Sequence, residues 1–230
     1  MKNTTNQQHR NTTRLRTLSV AALALGCAFM MVPGAGAQSL TPPATPTGIT
    51  PPAGNSLFLV GHALGTQGYV CLPTAVGAST ASWTVKGARP EATLFQNFFG
   101  QPFEIITHFL SPDTNPNGVV NPVPFGSATW QSSLDSSKVW AAVLDPKKNV
   151  IQAGTDPSCP NTGSIACLLL TSIGNDQGPA GGKILSKTTF VQRLNTAGGS
   201  APADGCSTSE DVGNQVLVPY TADYLFYKQQ

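Results

Sequence analysis

Two histidines, His62 and His108, stand beyond residue 37, so any chemistry that needs imidazole has to be built on them. Glu104 and His108 are four residues apart and share a face if the segment is a strand, which with His62 makes a conceivable three-ligand metal set. No His-Glu-x-x-His or Cys-x-x-Cys spacing accompanies them, and isolated histidines more often hydrogen-bond in a core or at a turn, so no metal site is expected. A Ser-His-Asp device would also have to use one of these two histidines. Gly126-Ser127 and Gly163-Ser164 lack the Gly-x-Ser-x-Gly elbow that would present the nucleophile. No Gly-x-Gly-x-x-Gly joins a strand to a helix, so dinucleotide binding has neither its tight turn nor its helix N-terminus, and no cofactor is expected.

The polar side chains that remain as site candidates are His62, His108, Asp135, Arg193 and Asp223, with Trp130 as the ring expected to face solvent or a ligand. Trp83 and Trp140 read as core, and His62 reads as a turn residue after Gly61. Asp223, between Tyr220 and Tyr224, reads as an Asx-turn residue at a break between the last two strands.

What must position these residues is an exported β-domain. Arg10, Arg14 and Arg16 precede an apolar run from Leu18 to Val32 and an Ala35-Gly36-Ala37 step, the layout of a secretory signal over residues 1–37. The run is too short for a membrane span, and none is expected once the signal is removed. Cleavage would take Lys2 and the three arginines from the 13 basic residues, leaving nine against 11 acidic ones and a net charge of −2. Nucleic-acid binding needs a dense cationic surface, so it is excluded as a function class. The expected location is secreted or periplasmic.

Residues 38–52 carry Pro42, Pro43, Pro46, Pro51 and Pro52 and read as an extended, solvated tether. From 53 to 230 short apolar or alternating runs are separated by Gly, Pro, Asn and Asp, the texture of one all-β domain. The expected fold is a single antiparallel β-sandwich or barrel-like domain, with at most one short helix. Strands are expected at 57–60, 68–72, 82–86, 103–109, 138–144, 185–195, 215–220 and 224–228, with loops at 111–124 and 174–182. Residues 165–173 suit either a buried strand or one or two helical turns. Cys71, Cys159, Cys167 and Cys206 are an even set in an exported chain, which favours disulfides. Of three pairings, Cys159 with Cys167 would close a small loop around Pro160-Asn161-Thr162-Gly163, leaving Cys71 with Cys206.

Several ordered blocks also carry a resemblance. Tyr69-Val70-Cys71, Trp83-Thr84-Val85-Lys86-Gly87, Thr107-His108 and Thr129-Trp130 are four of them. The C-terminal run is the most specific: Gln192-Arg193-Leu194-Asn195-Thr196-Ala197-Gly198-Gly199, Ala201-Pro202, Gly205-Cys206 and Val218-Pro219-Tyr220-Thr221-Ala222-Asp223-Tyr224-Leu225-Phe226-Tyr227. Together they resemble an uncharacterised family of secreted bacterial and fungal proteins, some fungal members of which carry a malate-dehydrogenase-like label. The resemblance implies no catalytic residues. The reading that follows is an exported, non-enzymatic protein that binds a glycan or a small extracellular ligand. An extracytoplasmic enzyme with a site around His108 and Asp135 is the alternative.

Overall fold

The computed structural model describes residues 40–85, 91–111 and 126–230. The expected signal, Lys86 of the expected strand at 82–86 and nearly all of the expected loop at 111–124 lie outside these residues. Ten strands follow in order: β1 (Asn55–Pro73), β2 (Ala81–Thr84), β3 (Glu91–Phe98), β4 (Gln101–Ser111) and β5 (Ser127–Ser132), then β6 (Lys138–Ala142), β7 (Val150–Ile151), β8 (Cys167–Asp176), β9 (Thr188–Gly198) and β10 (Gln215–Gln229). The helical pieces among the described residues are single 3-10 turns, Thr47–Ile49 and Ser209–Asp211. The ambiguous stretch at 165–173 is resolved as strand β8.

All neighbours are antiparallel, and the order β1-β3-β4-β5-β6-β8-β9-β10 returns to β1. Of the two expected arrangements the barrel is therefore realised, as an eight-stranded meander, with β2 added to the end of β1 and β7 to β8. Closure removes the exposed edges that an open sheet would leave unpaired.

Strand alternation explains which residues fill it. Tyr220, Ala222, Tyr224 and Phe226 of β10 join the interior cluster with Leu94, Ile106, Trp130, Val139 and Val191. The large rings face small residues across the ladder: Tyr220 pairs with Gly65, Ala222 with Ala63 and Tyr224 with Gly61. A Cβ on Gly65 would collide with the Glu91 carbonyl and with Ala92, so β1 and β3 approach as closely as they do because this position has no side chain.

β10 departs from the sequence reading, which broke it at Thr221-Ala222-Asp223. It runs unbroken from Gln215 to Gln229 against β1. Pro219 is tolerated because its carbonyl points toward Gly198, the last residue of β9, so its missing N–H falls just beyond the end of that ladder.

A second apolar cluster lies on the outer wall and comprises Ile49, Leu57, Leu169, Leu194, Leu225, Tyr227 and the Cys159–Cys167 disulfide. Here the expectation of a solvated tether over 38–52 fails at its C-terminal end. Ile49 is fully buried, and the buried Gln192 side chain donates to the Ile49 carbonyl at 2.6 Å while accepting from the Tyr227 hydroxyl at 2.8 Å. Burial of Ile49, with hydrogen bonds from Gln192 to its carbonyl and from Asn149 to the Gly48 carbonyl, docks a segment whose prolines suggest only extension.

Gly65→Ala is expected to lower stability by about 1–3 kcal/mol in urea unfolding through overpacking of the β1–β3 contact. A variant as stable as the parent would contradict that close approach.

Candidate functional site

The two ends of the barrel differ. At one end the strands are joined by the short turn Phe99-Gly100 and by connections 133–137 and 177–187. At the other they are joined by the long connections 143–166 and 199–214, with 112–125 lying outside the described residues.

Asp135 holds the short-turn end together. One carboxylate oxygen accepts from the Ser137 amide and hydroxyl at 3.1 and 2.7 Å, and the other from the Lys183 and Ile184 amides at 2.7 and 2.9 Å. Partial burial acts to raise its pKa, but the hydrogen bonds from Ser137, Ile184 and Ser132 outweigh it and hold the carboxyl well below the usual range. Every oxygen of Asp135 is thus engaged in joining two connections.

The long-loop end carries the polar interior. Tyr220, Gly65, Ala92, His108, Trp130 and Val139 are successive cross-strand partners and form one inward row around the barrel. His108 stacks on Trp130 with ring centroids 4.2 Å apart and planes 7° from parallel, and Tyr224 lies 5.5 Å from His108. The Nδ1 of His108 donates to the Thr129 carbonyl at 2.8 Å, which fixes the tautomer and leaves Nε2 as an acceptor. Burial penalises the imidazolium and lowers the His108 pKa to about 4; the Thr129 carbonyl opposes this shift and the charge of Arg193 adds to it.

Arg193 pairs with Tyr224 across β9–β10 and therefore faces inward, partly exposed. Its Nε and Nη2 donate to the Ala166 carbonyl at 3.1 and 2.8 Å, and no carboxylate among the described residues pairs with it. Its charge is felt by Tyr69, His108 and Tyr220. The Tyr69 hydroxyl donates to the Gly199 carbonyl at 2.6 Å; burial raises its pKa, opposed by Arg193 and the Ala201 amide. The Tyr220 and Tyr224 hydroxyls are 3.0 Å apart, and burial followed by the Tyr224 neighbour pushes the Tyr220 pKa far up. The Cys71–Cys206 disulfide fastens the 199–214 connection to β1 at this same end.

The six sequence candidates thus divide among three places. His108 and Trp130 stack in the barrel interior, and Arg193 faces the same interior from beside Tyr224, near enough for its charge to act on His108. Trp130 is 1% exposed, which overturns its reading as a surface ring: its inward position on β5 puts it in the barrel interior, where His108 covers one face. Trp83, read as core, is only partly buried and donates to the Asp204 carbonyl at 3.1 Å.

His62 and Asp223 meet on the outer wall, both in mid-strand and not at turns. The Nδ1 of His62 lies 2.6 Å from Asp223, whose other oxygen accepts from Asn195 at 2.8 Å. This pair orients an exposed imidazole, but no hydroxyl or thiol among the described residues bonds to it. Asp135 stands at the opposite end from His108, so the two do not share a site.

Tyr69 and Asn195 were missed as site residues. The available signal for Tyr69 was its place in the run of small and polar residues along β1. Asn195 is revealed only by the register shift in β10–β9 near its left-handed backbone, φ 50°. No group of three or more His, Cys, Asp or Glu arranged to hold a metal occurs among the described residues.

A family model described as protein of unknown function (DUF3455) matches residues 52–228. The chain belongs to this family. No match was found among curated proteins or among solved structures. In this DUF3455 chain the polar groups of the barrel interior, Arg193, Tyr69 and the Tyr220–Tyr224 pair, lie toward the long-loop end.

Two variants check the roles assigned here. The folded pKa of His108 lies below the unfolded value near 6.5, so its contribution to stability is complete above pH 6.5. It is lost as pH falls from 6.5 toward 4, by about 3 kcal/mol in all, and His108→Gln should flatten urea midpoints across that window. Asp135→Ala leaves the buried Ser137 and the half-buried Ile184 and exposed Lys183 amides without their charged acceptor and is expected to cost about 1–2 kcal/mol at pH 7 by the same assay.

Proposed function

We propose that the protein is exported with loss of residues 1–37 and acts outside the cytoplasm as a non-enzymatic binding barrel whose long-loop end takes a glycan or a small extracellular ligand. The observation that carries this reading is the asymmetry of the two ends. At one, Asp135 uses both oxygens to pin short connections. At the other, Arg193, Tyr69 and the Tyr220–Tyr224 pair gather beneath long connections. Ligand sites on rigid β-scaffolds commonly sit where long loops meet a barrel mouth.

Two disulfides are compatible with an oxidising compartment, and no helix among the described residues is long and apolar enough to cross a membrane. On the loop-closure estimate a bridge spanning 135 residues contributes about 4–5 kcal/mol and one spanning 8 about 2–3 kcal/mol, so export to a compartment that permits them matters for folding.

Profiling of the exported protein on polysaccharide, peptidoglycan and small-molecule arrays tests the proposal. The expected result is saturable retention of at least one class that is lost when the long-loop end is altered by Tyr69→Ala. Retention of none, or retention indifferent to that substitution, would contradict it.

A further inference from the structure

The long-loop end holds more hydrogen-bond donors than acceptors, and they are gathered around a cation. Arg193 carries five N–H groups in a planar fork and spends two contacts on one carbonyl, that of Ala166. Tyr220 and Tyr224 each have one hydroxyl hydrogen, but their mutual contact uses only one of the two. The Nε1–H of Trp130, buried in the same interior row, has no acceptor among the described residues. Against these stand fewer spare acceptors among the described residues, chiefly Nε2 of His108 and Oε1 of the buried Gln67, because Tyr69 is already committed to Gly199 and Ala201.

The charge count runs the same way. His108 is kept neutral by burial and by Arg193, so the guanidinium is the net charge of this interior, and no carboxylate among the described residues offsets it. A partly buried cation without a counter-charge is costly unless something supplies one.

From this surplus of donors around an unbalanced guanidinium we propose that the long-loop end binds a carboxylate, with Arg193 as the charged anchor and the Tyr220–Tyr224 pair supplying a further donor. The inference rests on the binding reading above and names its ligand class. A carboxylate brings two acceptor oxygens and one negative charge, which matches the planar fork of arginine better than it would a lysine. Such a group has two sources that the site chemistry does not distinguish: a free organic acid with an apolar body, or a uronic-acid residue of a glycan. The partly buried Leu168 and Val143, with the buried Ile165 beside them, border the same interior and suit the apolar body of a free acid.

The test is a titration of the 15N-labelled exported protein, followed by NMR at pH 7, with benzoate and galacturonate. Benzyl alcohol and galactose serve as neutral counterparts. Saturable shifts centred on the Arg193 Nε–H and the Tyr69 amide are expected with at least one carboxylate, at least tenfold tighter than with its neutral partner. Arg193→Gln should weaken that binding at least tenfold. Tyr220→Phe, which keeps the ring and removes one donor, should weaken it about threefold and guards against an unfolded arginine variant.

Preference for benzoate would identify a free acid, and preference for galacturonate a glycan source; both support the proposal. Equal binding of acid and alcohol, or carboxylate binding untouched by Arg193→Gln in a folded protein, overturns it. Saturable binding of galactose or benzyl alcohol alone, at this end, also overturns the carboxylate assignment while leaving the binding-barrel reading standing.

Discussion

The pairing of β1 with β10 is the constraint on which the rest of the structure depends. It runs from Asn55 opposite Gln229 to Val70 opposite Gln215 and joins the first long strand to the last. Without it the meander would be an open sheet with two long edges, each a template for aggregation. Closure also decides the interior, because alternation along these two strands sends Tyr220 and Tyr224 inward against Gly65 and Gly61 of β1, and Phe226 inward beside Leu59. The sheet closes around its own aromatic residues, and these pack the middle of the barrel as its core.

From closure follows the placement of polarity. The row that contains Tyr220 continues through His108 and Trp130, so a histidine that a metal or catalytic reading would place at a surface is instead stacked in the interior and held neutral. Arg193 enters from β9 beside the same tyrosines. Its charge lies where the connections are long and one of them is fastened to β1 by Cys71–Cys206. At the opposite end a carboxylate, Asp135, is fully used in holding turns. Two charged residues in one small barrel therefore have different prospects: one has no unmet demand, and the other has donors and charge to spare.

Much of the fold was legible in the sequence, because period-two alternation and turn residues report strands directly. Both disulfides correspond to the pairing that a short Cys159–Cys167 loop would leave. What was not legible has common physical causes. Local turn chemistry at Pro219 and Asp223 suggested a break, yet the β1 ladder carries the chain straight through, and the proline is harmless only because β9 ends beside it.

The exposure of Trp130 could not be read from polar neighbours, since in a strand those neighbours occupy the other face. Ile49 lay in a proline-rich stretch, where its docking on Gln192 depends on a residue far along the chain. The site was legible in part. Arg193 and His108 were candidates, but their company, Tyr69 and the Tyr220–Tyr224 pair, follows from a register that no local pattern fixes. His62 and Asp223 were chosen singly and meet only because β1 and β10 are neighbours.

Amide hydrogen exchange measured residue by residue tests barrel closure most directly. With β10 continuous and paired to β1, the Ala63 and Ala222–Leu225 amides should be among the slowest to exchange, opening only in global unfolding. Rapid exchange confined to Thr221–Asp223, as at a turn between two separate strands, would contradict the closed barrel and with it the assignment of the site.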